Sequence, residues 1–416
     1  MDGSTGGLSE AADLAPLLRE SAARQALQLR SSLVLNPVEN FPLPDDLAMA
    51  AGPLHGLYNS DKVRSREARM ASDHQFAGRR DLERDCVRAY AAWARALGAA
   101  DASLRLLSGL HAHTVLFMSV SRPGQRVLLL PVEAGGHLSG RQVLERLGLE
   151  VVDMVVDEEG QRVDVERTLE RCDGSPVDFV FVDRSEGLVV EDFSALTQLG
   201  STSVYDASQH LANVITGDHP NPFDHGFDLV VSSVHKNFPG PQKALLATRV
   251  ADDVWRLLLR GLSTYVSNMH VASTYAATLT LGRSDWLATY SKRMLACAPL
   301  LEMELADLGV PVVRRPAGAV PTHHVWIREG SRDRAFDTFE ALEQCGLHTN
   351  FRKLPYGLGH GIRLGLSAAV RVGLLESDVP RLAALIADVR RSGPTPVLRA
   401  AAAALSREVW DRDQAA

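Results

Sequence analysis

The sequence predicts an α/β protein with a large domain on a largely parallel sheet, followed by a smaller C-terminal α+β domain. Three observations carry this reading. Six β-rich runs, at 127–130, 151–156, 177–182, 203–205, 227–233 and 244–248, alternate with helical stretches. The runs are nearly continuously apolar, without strict alternation, as strands buried on both faces require. Beyond a long helical stretch at 284–308 the pattern changes: apolar runs at 310–313 and 324–327 are interleaved with helices near 335–344 and 377–390.

Taken in order, residues 13–30 place Leu14, Leu17, Leu18, Ala22, Leu27 and Leu29 roughly on a helical stripe, and a proline-rich stretch follows at 37–53. Residues 1–56 therefore read as an arm and a connection. The segment 58–84 is polar and carries Arg64, Arg66, Arg69, Arg79, Arg80 and Arg84, and a helix is expected over 81–97, stopped by Gly98. The sheet domain spans 57–283 and the small domain 284–416. In its last predicted helix Leu382, Leu385, Ile386 and Val389 fall at i, i+3, i+4 and i+7. No internal repeat is visible.

The 416 residues are 45% hydrophobic and 23% charged, which suits a folded globular chain. A net charge of −7 argues against nucleic acid as a partner. No apolar run approaches the ~20 residues of a membrane helix, and the opening MDGSTGGLSE lacks the basic and apolar regions of a signal peptide. The expectation is a cytoplasmic protein with no membrane partner. Cys86, Cys172, Cys297 and Cys345 are dispersed, without a Cys-x-x-Cys pair, so neither a zinc ribbon nor a disulfide framework is expected, and no metal site is predicted. Lysine is scarce: Lys62, Lys236, Lys243, Lys292 and Lys353 are the candidates for amine chemistry.

Lys236 ends the apolar run Phe227-Asp-Leu-Val-Val-Ser-Ser-Val-His-Lys236, and the following Asn-Phe-Pro-Gly-Pro forces a turn. Burial at a sheet edge favours the neutral amine that attacks an aldehyde; the plainer alternative is a lysine snorkelling to solvent. Asp206 ends the strand Ser203-Val-Tyr-Asp206, and a parallel sheet brings both ends to one edge. There Asp206 either caps a helix or holds a pyridine nitrogen protonated while Lys236 carries the ring's aldehyde as a Schiff base.

These segments, with His219-Pro-Asn-Pro, resemble the aspartate and lysine regions of serine hydroxymethyltransferase, a fold type I pyridoxal phosphate enzyme family. Val38-Glu-Asn-Phe41, Ser108-Gly109, Gly135-Gly-His-Leu138, Gly361-Ile-Arg-Leu-Gly365 and, loosely, Arg371 with Gly373 resemble further family segments in the same order, over about residues 33 to 379. The resemblance implies pyridoxal 5'-phosphate as cofactor, with Lys236 and Asp206 in the roles above and His137 stacked on the ring. Ser108, the amides of Gly109 and Leu110, and His235 would bind phosphate, with Ser233 also in the cofactor set. Arg363 would clamp the substrate carboxylate. Guanidinium and carboxylate match bidentately, and amides with hydroxyls suit a phosphate dianion. Read without the resemblance, His137 is a packed or capping histidine and Arg363 a surface or ion-paired arginine.

The departures are as informative. Against the family's Tyr-Ala-Glu-Gly, this chain reads Leu57-Tyr-Asn-Ser-Asp61: Tyr58 matches as a catalytic and substrate residue, Ser60 stands at the glutamate, and Asp61 is a shifted substitute or a turn residue. Arg352 falls where an asparagine contacts the pterin. Gln209 takes the usual histidine spacing after Asp206, with His210 one residue late, and Gln209 is read as a partner of the cofactor's phenolic oxygen. In a segment the family shares between subunits, Tyr265-Val-Ser-Asn-Met-His270 puts Ser267 and Asn268 near the phosphate.

The resemblance thus implies aldol chemistry on an amino acid with a homodimer sharing its active sites. The expected activity is an L-threonine transaldolase forming a β-hydroxy-α-amino acid from threonine or glycine and an acceptor aldehyde. The alternative is a folate-dependent hydroxymethyltransferase acting on serine or a related amino acid; an aminotransferase, a decarboxylase or a catalytically silent relative follows. Arg64, Arg66, Arg79, Arg80 and Arg352 are read either as facing the active-site mouth toward a phosphorylated, carboxylated or nucleoside-like acceptor, or as a solvated surface or a subunit contact.

Overall fold

The computed structural model describes residues 6–72 and 75–415. Helix α1 (Gly6–Arg30) leads into β1 (Leu33–Val34). Helix α2 (Arg80–Leu97) has a strong apolar face, burying Cys86, Tyr90 and Trp93, and ends where Gly98 takes a left-handed φ of 64°. The large sheet is built from β2 (Asp101–Ser103), β3 (Arg126–Leu129), β4 (Glu150–Asp153), β5 (Phe179–Val182), β6 (Thr202–Asp206), β7 (Leu229–Ser233) and β8 (Ala244–Thr248), with α3 (Gly109–Val120) between β2 and β3. The strand order is β2-β8-β7-β6-β5-β3-β4. Only β8 runs against its neighbours. Strands β5 to β8 are buried throughout, which is why they read as continuous apolar runs.

Helices α4 (Asp253–Tyr265) and α5 (Val271–Leu281) precede the long α6 (Ser284–Asp307). The C-terminal unit is an antiparallel sheet, order β9-β12-β11, made of β9 (His324–Arg328), β11 (Asn350–Lys353) and β12 (His360–Gly365). Helices α7 (Arg332–Gln344), α8 (Val379–Ser392) and α9 (Pro396–Ala415) complete it. β1 pairs in parallel with β10 (Leu347–His348), so the chain before the sheet domain is joined to the unit after it.

The structure corrects several element boundaries. The run at 151–156 is not one strand: β4 stops at Asp153, and Val156–Asp157 turns into a small hairpin with Arg162–Val163. Residues 310–313 make only an isolated bridge, Val312 to Ile327. The sheet edge β2 (Asp-Ala-Ser) had no apolar run to announce it; it is held by β8 and by the Asp101 carboxylate, which accepts from the Trp255 indole at 2.8 Å. Leu14, Leu17 and Leu18 of α1 are exposed, so the stripe seen in the sequence faces no core within this chain.

Candidate active site

Parallel strands deliver their carboxyl ends to one edge, where open α/β sheets bind ligands. β5 runs out at Asp183, β6 ends on Asp206, and β7 leads through Ser233 and His235 to Lys236. Register fixes the neighbours: Val182 lies beside Tyr205, and Asp206 beside Val231.

Asp206 is buried. One of its oxygens accepts from the Ser208 amide at 2.6 Å, and the other meets His113 Nε2 at 2.6 Å. Burial works against its charge, but His113, Lys236 and the Ser208 hydrogen bond overcome that and hold its pKa at about 2. On the far side of His113, Asp183 Oδ2 stands 3.7 Å from Nδ1. Burial pushes Asp183 up to about 7 against the pull of His113. His137 lies over this group: its amide donates to the Asp183 carbonyl at 3.1 Å, and its ring meets His113 edge-on at 6.1 Å. Its Nδ1 accepts from the Ser139 amide, and burial together with His113 and Lys236 lowers its pKa to about 4, leaving a neutral ring.

The turn after Lys236 is pinned. The Lys236 carbonyl accepts from Asn40 Nδ2 at 2.5 Å, the Asn237 carbonyl from Tyr290 at 2.8 Å, and Val234 pairs with Lys243. Beside it, Ser108 caps α3 by accepting from the His111 amide, Leu110 is exposed, and a Cβ on Gly109 would lie 3.5 Å from Ser208 Oγ and 3.7 Å from Ser233 Cβ. Ser233 Oγ is buried without a hydrogen-bond partner among the described residues, and burial and Lys236 drive the pKa of half-buried His235 to about 4. Gln209 accepts from His323 at 3.1 Å and from His324 at 3.3 Å, which leaves its buried Nε2 donor unpaired. His210 is instead a helix N-cap, packed at 5.3 Å against His219.

Arg363, on β12, is 2% exposed. Its Nη1 reaches the Ser185 carbonyl at 3.4 Å and Glu186 Oε1 at 3.6 Å, while its Nε has no hydrogen-bond partner among the described residues. Arg352 closes on the same Glu186 oxygen, and Glu186 Oε2 is buried and unpaired. Burial pulls the Arg363 pKa down to about 10 despite Glu186.

Within one chain, the structure does not bring Tyr58, Ser267 and Asn268 to this edge. Tyr58 hydrogen-bonds Ser267 and packs its ring tilted against Phe76 at 5.4 Å, and Asn268 donates to the Leu57 carbonyl. Tyr58 and Ser267 line a separate cavity of about 510 Å³ with Ser60, Lys62, Arg64 and Arg69. Arg79 donates to the Tyr58 carbonyl nearby, whereas Arg352 belongs to the Glu186 pair, so the arginines read as one cluster divide between two places.

Sequence reasoning missed His113, Asp183 and Glu186. A signal existed for the first two: His113 is four residues after Gly109 on one helix face, and Asp183 follows an apolar run as Asp206 does. Glu186, in a loop, carried none.

A sequence profile described as serine hydroxymethyltransferase matches residues 83–386. The serine hydroxymethyltransferase of Pyrobaculum arsenaticum is 29% identical over 315 residues, 73% of each chain. That of Staphylothermus marinus is 29% identical over 294 residues, 67% of each. Among solved structures, L-threonine transaldolase from Pseudomonas fluorescens, in its internal aldimine state, superposes with a TM-score of 0.86 at 22% identity, covering 99% of this chain and 93% of that one. At that identity the likeness is one of fold. Since the profile spans most of the chain, the protein belongs to the serine hydroxymethyltransferase family and is a fold type I, pyridoxal 5'-phosphate-dependent enzyme of the transferase or aldolase kind.

Proposed function

We propose that the enzyme is an L-threonine transaldolase: it cleaves the Cα–Cβ bond of threonine and joins the glycine portion to an acceptor aldehyde. The residues at the sheet edge fit the cofactor. Ionised Asp206 is a ready partner for a ring nitrogen, Gln209 Nε2 is a spare buried donor for the phenolic oxygen, and His137 is a neutral ring free to stack. Ser108, the first amides of α3, Ser233 and His235 form the phosphate cradle, the helix N-terminus favouring the anion. Lys236 carries the cofactor's aldehyde. Bound pyridoxal phosphate supplies an electron-withdrawing ring that takes up the electron pair released at Cα.

Arg363 orients the amino acid. Two guanidiniums against one carboxylate leave a single positive charge, matched to one α-carboxylate, and the unpaired Arg363 Nε supplies a donor. His137 and Arg363 together fix which face of Cα meets the aldehyde.

The observation that carries this reading is the Arg352–Glu186 pair. A charged pair, half-buried Arg352 on buried Glu186, occupies the place at which a folate enzyme of this family is expected to use a neutral amide. Neither matched position restores the missing glutamate, although Glu83 also lines the cavity beside Tyr58 and Ser60. Asp61 is held by Arg105 at 3.0 Å and by the Tyr90 hydroxyl at 3.4 Å, and Ser60 has no carboxyl group to offer. The Pseudomonas fluorescens neighbour is named a threonine transaldolase. The second reading, folate-dependent hydroxymethyl transfer, is favoured by the names of the sequence relatives.

The same reading includes a homodimer. Tyr58, Ser267 and Asn268 gather away from their own Lys236 and serve the partner's site, and the exposed Leu14, Leu17 and Leu18 of α1 offer a contact face. The test compares threonine plus an aldehyde panel with serine plus tetrahydrofolate under identical conditions, following acetaldehyde and new amino acids by mass spectrometry. Aldehyde-dependent exchange without folate stimulation is expected; folate-dependent glycine formation without exchange overturns the reading.

A further inference from the structure

We propose that His113 is a positioning residue, a buried imidazolium wedged between Asp183 and Asp206 that keeps Asp206 an ionised acceptor beneath the cofactor ring. This goes beyond the transaldolase reading; it rests only on the placement of the ring nitrogen over Asp206.

The three side chains come from three elements, α3, the end of β5 and the end of β6, and all are at most 4% exposed. The His113 ring is held edge-on to Phe181 at 4.9 Å and to His137 at 6.1 Å, with Nε2 hydrogen-bonded to Asp206 and Nδ1, without a hydrogen-bond partner among the described residues, 3.7 Å from Asp183. Two carboxylates this close in a low-dielectric interior do not both stay ionised unaided; one takes up a proton. A cation between them decides which. The short 2.6 Å contact goes to Asp206 and the 3.7 Å contact to Asp183, so Asp206 keeps its charge. The charges follow this geometry: burial opposes a proton on His113, yet Asp183 and Asp206 outweigh burial and Lys236 and raise its pKa. The charged and titratable groups facing it are Asp183, Asp206, Lys236 and His137.

The same trio offers three ligand atoms within 4.8 Å of one another, as a metal site would. Ligands about 2.1 Å from a tetrahedral ion stand roughly 3.4 Å apart, however, and a 2.6 Å separation is a hydrogen bond.

The experiment uses holoenzyme loaded with cofactor labelled with nitrogen-15 in the ring. Without His113, one proton is shared between two carboxyls, Asp206 loses charge, and the ring nitrogen is no longer held protonated. For His113→Leu the nitrogen resonance is expected to move from its pyridinium position toward that of free pyridine, and the cofactor dissociation constant to rise about 10-fold or more. His113→Asn keeps a neutral donor of similar shape, so it folds if the leucine variant does not, and it should shift the resonance in the same direction by less. A pyridinium signal and cofactor affinity unchanged in His113→Asn overturn the proposal, as does stoichiometric metal that the variant loses. Asp206→Asn separates the two ideas. If it moves the resonance and His113 variants do not, the His113 role fails; if it does not, the ring is not over Asp206 and the placement fails with it.

Discussion

Arg363→Ala tests whether this side chain receives the amino-acid carboxylate. The guanidinium is buried, and among the described residues its Nε is unspent and its one hydrogen bond, to the Ser185 carbonyl, is a long 3.4 Å. Little of its donor capacity is consumed by the fold. A charge-assisted pair of this kind contributes roughly 1.5–3 kcal/mol, so the threonine dissociation constant should rise about 10- to 150-fold. The fold should lose less than the ~3–5 kcal/mol typical of a broken buried pair, because Glu186 retains Arg352 and is not left as a stranded charge. Arg363→Lys, which keeps the charge and loses the planar fork, should fall between. The assay is a threonine titration of the cofactor's visible absorbance, run beside a cofactor titration of apoenzyme. Unchanged threonine affinity in Arg363→Ala, or cofactor affinity falling in step with it, refutes the assignment.

Borohydride reduction of the holoenzyme followed by peptide mapping should place the pyridoxyl group on Lys236. The informative competitor is Lys243, whose amine burial lowers to about 7, but it is fully enclosed and donates to the Met269 carbonyl; a label there would overturn the site. Mixing Lys236→Ala and Tyr58→Ala subunits should restore activity that neither variant shows alone, and its absence in a verified mixed dimer would remove the shared-site proposal. Asp183 should make stability fall as pH rises from about 4 to 7: the unfolded carboxyl releases its proton near 3.8 and the folded one near 7, so the unfolded state binds fewer protons across that window. Asp183→Asn should flatten melting temperature against pH there, and an unaltered slope would contradict the assigned burial effect.

Much of the large domain was legible because its strands are buried on both faces: the Phe179–Val182 and Leu229–Ser233 runs announce themselves by composition alone. Lys236 and Asp206 were legible for the same reason, each ending such a run with a polar group. The edge strand Asp101–Ser103 was not, since its place depends on pairing with a strand some 140 residues later. His113 and Glu186 were hidden differently. Each acts through partners distant in sequence, Asp206 for one and Arg352 with Arg363 for the other, and no local pattern marks such a meeting.

The reversed strand β8 has a consequence for how this enzyme could diversify. Because β8 returns immediately beside β7, the lysine sits in a short hairpin connection, tied across by Val234 and Lys243, with Gly240 bonded back to the Val234 carbonyl. A Cβ on Gly240 would come within 2.5 Å of that carbonyl, so even the smallest side chain has no room. Insertions or substitutions in this turn would displace the Lys236 amine itself. Variation in what the enzyme accepts is therefore channelled away from this turn, into segments that can change while the Lys236 amine stays in place.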